Sequence, residues 1–371
     1  MVRHQIALGA SAALLLFATA ACGSDAPSTT AEDGFVVTAV AGCEQGWTDP
    51  ADLSATRTVA RCKPGTPAPQ PLKDKAKLTM AITNKQAELI GPLMWAQKHG
   101  EFAKEGIDLE IKVVPPADAL NLLASNKIDA WLSGPDASFH NALDQDYELR
   151  WVTGNYTESP KSKSGLWTRA GNEGDLKGDT VGSAAGPGSV IMYPIGSALE
   201  KAGLGITDVK VQTLASADQI TAFKNGGIDA AWLLTPVWGE VADDPAFAFV
   251  GGQPPAEPLG GFIFGKKLLN DQPAVGRALL RAYIRAINTK FAGEYKADKS
   301  LVSELSELLE VPAETIASTP SLIFDWEIRQ GTSERAQKFW HELGSLSYKG
   351  TIKESEVVDR SFYEAVVGHE D

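Results

Sequence analysis

Between residues 180 and 203 the sequence reads Thr-Val-Gly-Ser-Ala-Ala-Gly-Pro-Gly-Ser-Val-Ile-Met-Tyr-Pro-Ile-Gly-Ser-Ala-Leu-Glu-Lys-Ala-Gly. A strand over 180–183 is predicted to run into a turn at Gly186, Pro187 and Gly188. Ser189 then stands at an N-cap position, and apolar residues follow at helical spacing until Gly203 stops the helix. Backbone N–H groups at the start of such a helix carry partial positive charge, and glycines let a ligand approach the chain. The chemistry on offer is therefore reception of a carboxylate, sulfonate or similar anionic group. An ordinary strand-turn-helix corner has the same pattern, so the stretch draws its weight from its place in the chain.

Catalytic chemistries fit the sequence poorly. Gly186 and Gly188 are followed by Ile191 where a dinucleotide fingerprint places its third glycine, and there is no Walker loop. Gly188-Ser189-Val190 lacks the flanking glycine of a nucleophile elbow. His99, His140, His341 and His369 are scattered without ligand spacing, so no metal site is expected. Asp243 with Asp244, and Asp144 with Asp146, read as solvated loop acids rather than an acid–base pair. No catalytic residue and no cofactor is assigned, and the chain reads as a binder rather than an enzyme.

The elements that must hold such a corner have ample chain to form. With 371 residues, 43% hydrophobic and 22% charged, there is room for two lobes, each with its own core. The net charge of −13 argues against nucleic acid as a partner, because neutralising phosphates needs clustered Lys and Arg. It does not argue against an anionic ligand, since local N–H donors govern the field inside a cleft.

Arg3 and His4 precede an apolar run from Ile6 to Ala21, too short to span a bilayer and of the length of a secretory signal. Ala20-Ala21-Cys22 resembles a bacterial lipobox, in which Cys22 becomes the lipidated first residue of the mature chain. Thr19 stands where that pattern usually has Leu, which leaves cleavage by the ordinary signal peptidase as the alternative. With Cys22 acylated, two thiols remain, Cys43 and Cys62, in a compartment that permits oxidation. They are expected to form a disulfide, the alternative being two unpaired thiols. Residues 1–22 are thus read as the signal peptide and 23–74 as a tether and cysteine-containing extension.

From residue 78 the pattern is regular. Strands are predicted at 78–82, 107–113, 128–132, 148–153, 165–168, 180–183, 209–213, 228–233, 247–250 and 261–264. Helices are predicted at 87–99, 118–126, 189–202 and 217–225, and the alternation means parallel βαβ units. An internal echo organises them. Ile128-Asp129-Ala130-Trp131-Leu132-Ser133-Gly134-Pro135 and Ile228-Asp229-Ala230-Ala231-Trp232-Leu233-Leu234-Thr235-Pro236 each follow a short amphipathic helix. Two lobes built alike put their strand ends on facing edges of one cleft, where ligands bind in open α/β sheets. Trp131 and Trp232, mid-strand, are expected in the core. In 273–290 one helix face is apolar, and Arg277, Arg281 and Arg285 are expected on a solvated face.

With the lipobox-like start, Asn126-Lys127-Ile128-Asp129-Ala130, the turn at 182–188 and Gly226-Gly227-Ile228-Asp229-Ala230 in place, the chain resembles solute-binding proteins of bacterial ABC importers. Within these it looks like the nitrate, sulfonate and taurine group, which is related to binders of thiamine-precursor pyrimidines. The resemblance covers about 75–346. It implies an α/β, type II periplasmic-binding-protein fold: two Rossmann-like lobes with a ligand cleft between them, joined by crossovers near 154–159 and 251–260. The first lobe would comprise 75–155 and 257–371, the latter with the C-terminal helices, and the second 156–256. Carried over by position, the pocket would draw on Asn84, Gln86, Ser133, Gly134, Asn155 and Tyr156, then on Ser183, Gly186, Gly188, Ser189, Thr235 and Trp238, the aromatics covering an apolar tail. The implied guest is a small organic anion, sulfonate- or taurine-like first, then an aromatic carboxylate or a flavin- or pyrimidine-like ring. The implied partners are ABC permease and ATPase subunits, the protein being a monomer held by its lipid on the extracytoplasmic face of the cell membrane. The other classes on this fold are a sensor ectodomain and a pyrimidine-synthase-like enzyme, whose cysteine-rich motif and active-site histidine are not seen here.

Overall fold

The computed structural model describes residues 67–83, 85, 88–235, 237–254 and 257–367, together with the backbone of two paired strands, β1 (Ser28–Thr30) and β2 (Val36–Thr38). The expected signal segment, Cys22, Cys43 and Cys62 lie outside the described residues, as do the loop residues Asn84 and Gln86.

The remaining strands, in chain order, are β3 (Ala76–Ile82), β4 (Ile107–Val113), β5 (Ala130–Ser133), β6 (Leu149–Gly154), β7 (Tyr156–Thr157), β8 (Gly165–Arg169), β9 (Thr180–Ser183), β10 (Lys210–Thr213), β11 (Ala230–Leu233), β12 (Phe247–Gly252), β13 (Gly261–Gly265) and β14 (Ile323–Phe324). They form two five-stranded sheets with one plan, β4-β3-β5-β13-β6 and β10-β9-β11-β8-β12. Pairing is parallel for β3 with β4 and β5, and for β9 with β10 and β11. The expectation of parallel units throughout needs one correction: β13 and β8 run antiparallel to both neighbours. Each is entered from a crossover at the carboxyl edge of its sheet, with Gly261 opposite Ser133 and Gly165 opposite Leu233, so it must travel back the other way.

The echo between the halves has a physical basis. Asn126 and Gly226 both take the left-handed conformation that ends a helix. The N–H groups of Lys127 and Gly227 then close on Leu122 O and Ala222 O, each at 2.8 Å. Asp129 accepts from Thr79 N–H at 2.7 Å, and Asp229 accepts from Thr180 N–H at 2.8 Å. Each Asp thus clips the start of β5 or β11 to its parallel neighbour, β3 or β9.

Side-chain alternation explains the cores. On β11, Ala230 and Trp232 join the cluster of Leu166, Val181, Ile195 and Leu199, while Ala231 and Leu233 join Trp167, Phe223, Ile228 and Trp238 on the opposite face. Both faces of this sheet are covered, as a largely parallel sheet requires. In β4, Ile107 and Leu109 are buried while Asp108 and Glu110 are exposed, which suits an edge strand with one covered face.

Three readings of the helices are revised. The helix expected over 189–202 is Met192–Lys201, with Ile191 rather than Ser189 at its N-cap. Pro194 supplies the reason: a helix capped at Ser189 would need an N–H from residue 194 to Val190 O, and proline has none. The chain instead makes a tight turn, with Ser189 N–H to Gly186 O at 3.0 Å and Tyr193 N–H to Val190 O at 3.2 Å.

In the helix Pro273–Lys290 the apolar face is buried as expected, but Arg281 and Arg285 are buried too. Arg285 donates to Glu101 and Glu105 at 2.7 Å each, and Arg281 to Glu105 at 2.9 Å. The same arginines reach the carbonyls of Pro67 and Gln70, each at 3.2 Å, and Leu72 N–H bonds Glu105 O at 2.9 Å. A four-charge cluster therefore binds the entering chain to the first lobe, where a solvated face was expected.

The helix Thr332–Glu342 likewise departs from its expected place in the first lobe. Ala336, Phe339 and Trp340 complete the second-lobe core with Ile195 and Leu199. At the same time His140 of the first lobe bonds Ser333 Oγ at 2.9 Å, and Asn141 bonds Ser345 O at 3.0 Å. This segment touches both halves.

Candidate functional site

The carboxyl ends of β5 and β11 and both crossovers meet around a cavity of about 220 Å³. Ser133 and Gly134 end β5, and Asn155 and Tyr156 begin the first crossover, which closes at Ser164. Trp232 and Leu234 come from β11 and its end, and Gln253, Leu259 and Gly260 from the second crossover. Leu89, Leu132, Val190 and Ile191 add aliphatic wall. A larger concavity, about 370 Å³, lies beside Gln97, Phe102 and Asp108 on the first lobe and shares no residue with either crossover.

Both crossovers are braced. In the first, β7 pairs antiparallel with β14, Gly154 N–H bonds Trp326 O at 2.8 Å, and Asp325 N–H bonds Asn155 O at 2.9 Å. The Asn155 side chain is fixed by Tyr283 of the helix Pro273–Lys290, whose hydroxyl donates to Oδ1 at 2.5 Å. That bond leaves the amide N–H groups of Asn155 for the cavity. In the second crossover, buried Glu257 accepts from Thr332 Oγ1 and from Arg335 Nε, each at 2.9 Å, and from the Tyr193 hydroxyl. Gln253 donates to Glu257 O at 2.6 Å.

Of the residues expected in the pocket, the structure brings Ser133, Gly134, Asn155 and Tyr156 to the cavity wall. Ser183, Gly186, Gly188, Ser189, Thr235 and Trp238 are not among its lining residues. The carbonyls of the glycine corner are taken up away from the cavity: Gly188 O accepts from Ala137 N–H of the first lobe at 2.9 Å, while Ser189 O accepts from Trp340 Nε1 at 2.9 Å and Pro187 O from Ser345 Oγ at 3.2 Å, both of the C-terminal segment. The corner reaches the cavity through the next two residues, Val190 and Ile191. Trp238 packs in the second-lobe core and donates to Thr235 Oγ1 at 3.2 Å.

Sequence reasoning missed the cavity's apolar side. Trp232 was expected in the core. It is 2% exposed, yet it also lines the cavity, and its indole N–H has no hydrogen-bond partner among the described residues. Val190, Ile191 and Leu234 stand within a residue or two of positions that were singled out, and the alternation of β11 was the signal available for Trp232.

Among the described residues, no Lys, Arg or His lines the cavity. Glu158 stands two residues beyond Tyr156, with Thr235 Oγ1 3.5 Å from its Oε2. Burial pushes the Glu158 carboxyl above the ordinary carboxylate range, against hydrogen bonds from Ser162, Ser164 and Thr235 and with help from the negative charge of Glu88. Burial likewise pushes the Tyr156 phenol up, the charge of Glu158 adding to it, so Tyr156 is a neutral donor at any working pH. Glu88 is itself held by Lys296 at 2.8 Å and by the Tyr295 hydroxyl. Among the described residues no group of three His, Cys, Asp or Glu could hold a metal ion. The site can thus enclose a small organic molecule between apolar walls and offer it neutral hydrogen-bond partners.

Two like-built lobes, two crossovers and a cavity at the facing strand ends define the type II periplasmic-binding-protein fold. The chain belongs to the NMT1/THI5-like family, whose model matches residues 88–292. No match is found among curated proteins. Among solved structures it is similar to the periplasmic aliphatic sulphonate binding protein SsuA from Escherichia coli, with 18% identity, a TM-score of 0.57, and 76% of this chain and 92% of that chain covered. It is also similar to the alkanesulfonate-binding protein SsuA from Xanthomonas axonopodis pv. citri bound to MOPS, with 16% identity, a TM-score of 0.57, and 77% and 99% covered. A third is the periplasmic nitrate-binding protein NrtA from Synechocystis PCC 6803, with 14% identity, a TM-score of 0.54, and 80% and 89% covered. At these identities the likeness is one of fold.

Proposed function

We propose that the protein is the extracytoplasmic solute-binding component of an ABC importer. It captures a small organic solute by closing its lobes and delivers it to permease and ATPase subunits. The observation that carries this reading is the cavity between the halves, lined from both strand edges and both crossovers and walled mainly by Leu89, Leu132, Val190, Ile191, Trp232 and Leu234. Apolar walls stabilise an organic body by about 25 cal/mol per Å² of area removed from water, a gain that nitrate does not offer. The named binders of sulfonate and alkanesulfonate among the similar structures support a compact polar head on such a body. Asn155, Tyr156, Ser133 and the Trp232 N–H would serve that head as neutral donors. An aromatic carboxylate or a flavin- or pyrimidine-like ring is the second reading, favoured by the two aromatics on the wall, Tyr156 and Trp232. Lipid anchoring through Cys22, a Cys43–Cys62 disulfide and a monomeric state belong to the same proposal.

Differential affinity for the closed state would drive the population shift. The test is a thermal-shift panel of alkanesulfonates, taurine, nitrate, bicarbonate, aryl carboxylates and thiamine-precursor pyrimidines, followed by small-angle scattering with and without any hit. A binder that raises Tm and contracts the molecule is expected. A hit that leaves the radius of gyration unchanged sinks the lobe-closure mechanism.

A further inference from the structure

Behind the solute cavity lies a second, smaller chamber of about 20 Å³, and among the described residues Val190 and Leu259 alone line both. The chain leaving β5 passes along the wall between them, with Gly134 lining the cavity and Pro135 the chamber. The two lobes touch at this point: a Cβ on Gly134 would stand 2.4 Å from Val190 Cγ1 and 2.5 Å from Leu259 O. Val190 of the second lobe therefore seats on the first, and closure of the lobes assembles the partition. Beyond it the chamber is walled by Trp151 of the first lobe, Tyr193 of the second, and Thr332 and Ser333 of the helix Thr332–Glu342. Tyr193 and Thr332 bond to Glu257 and Ser333 to His140, whereas the buried Trp151 indole N–H has no hydrogen-bond partner among the described residues. Packed interiors keep few voids above the roughly 10–15 Å³ that one water needs, and they pair their buried donors. This chamber departs from both rules, and the side chains of Val190 and Leu259 separate it from the site.

We propose that the chamber is a walled-off extension of the solute site, and that Val190, with Leu259, is the specificity-determining residue that sets how long a guest the closed protein accepts. The inference rests on the reading of the cavity as a solute site and adds a length limit to it, whatever the head group. A tail that stops short of Val190 lets the lobes seat. One that reaches further holds Val190 off Gly134, so it is refused at the step that closes the protein. Trimming Val190 joins the two spaces and moves the limit outwards.

The test is titration calorimetry with two linear series of about two to ten carbons, the 1-alkanesulfonates and the n-alkanoates, on wild type, Val190→Ala and Val190→Ile. In wild type the affinity for at least one series should rise about fourfold per carbon, the equivalent of ~0.8 kcal/mol per buried methylene, up to a limiting length and then fall. Val190→Ala should move that limit out by about one or two carbons and tighten the first guest beyond it by at least about tenfold. Val190→Ile, one methylene larger, should pull the limit in by about one carbon. Leu259→Ala, at the other side chain of the partition, should act in the same direction as Val190→Ala. A limit that none of these variants moves overturns the inference and leaves the solute-receptor reading standing, and so does an affinity that still rises at the longest guest in wild type. Failure of both series also overturns it, and the receptor reading is then judged by closure with the wider panel. A crystal structure of guest-free Val190→Ala gives a readout that does not depend on affinity. One continuous space from Ser133 to Trp151 is expected, and two separate ones overturn the inference.

Discussion

The hydroxyl of Tyr283, on a first-lobe helix, reaches the hinge and fixes the side-chain amide of Asn155 at 2.5 Å, so a residue of the core decides which atoms of a crossover residue face the cavity. Tyr283→Phe removes that restraint and leaves a buried amide oxygen unmatched. The expected cost is about 1–3 kcal/mol of stability. The ligand-induced rise in Tm should also shrink, because Asn155 must be ordered at the moment of binding. Urea unfolding and thermal shift on one preparation separate the two effects.

Gly134 leaves no room for a side chain: a Cβ there would stand 2.4 Å from Val190 Cγ1 on the second lobe and 2.5 Å from Leu259 O. Gly134→Val should keep the lobes apart while each core stays intact. The expected outcome is an enlarged radius of gyration by small-angle scattering, unaltered far-UV circular dichroism, and no contraction with ligand. A compact variant that still closes would show that the contact yields.

Asp129 and Asp229 make the same clip one hundred residues apart, and Asp129 also pairs with Lys267 at 2.6 Å. Asp129 is buried, so Asp129→Ala strands the Thr79 N–H at a cost of about 1–3 kcal/mol, whereas Asp229 is exposed and Asp229→Ala, whose Thr180 N–H can turn to water, should cost only about 0.5–1.5 kcal/mol. The effects should add to within about 0.5 kcal/mol, since each aspartate ties together strands of its own sheet only. Hydrogen exchange should show Asp129→Ala loosening β3 and β5, and Asp229→Ala loosening β9 and β11.

His140 is fully buried, with Nδ1 at 2.8 Å from Asp136 O and Nε2 at 2.9 Å from Ser333 Oγ, against the ring of Trp340. Burial pushes its pKa down to about 4, the Asp136 carbonyl opposing the shift in part. The unfolded chain then takes up this proton more readily than the folded one. Stability is full above the unfolded value near 6.5 and is lost as pH falls towards 4, by about 3 kcal/mol in all. His140→Gln should flatten that part of the stability curve between pH 6.5 and 4, as measured by urea midpoints.

Removing Arg285 would leave Glu101 and Glu105 buried with only part of their charge compensation, which costs about 3–5 kcal/mol. Arg285→Ala should unfold at lower urea. It should also be nicked earlier by protease around residues 67–72.

Much of this architecture could be read from residue order. The repeated Ile-Asp-Ala after a helix-ending residue marked both lobes, because the clip is local and its chemistry is carried by one side chain. The reversed strands β8 and β13 could not be read that way: Gly261-Phe262-Ile263-Phe264 has the same pattern whichever way it runs, and direction is set by where the crossover enters the sheet. Pro194 held the evidence against a helix starting at Ser189, and the glycines upstream masked it. Arg281 and Arg285 looked solvated because their acidic partners sit about 180 positions earlier. At the cavity, the polar end of the first crossover was legible from Asn155 and Tyr156. The apolar wall was not, since Trp232 and Leu132 occupy strand positions that periodicity gives to a core.

Because Pro67, Gln70 and Leu72 are moored by buried charges and a backbone bond to the first lobe alone, any pull arriving along the preceding chain is delivered to that half. The second half carries no such load, so in the proposed closure it would be the moving leaf, with the segment around Thr332–Glu342, which touches both halves, limiting its travel. Transport machinery that reads the closed shape would then feel one leaf at a fixed height and the other as the moving pointer.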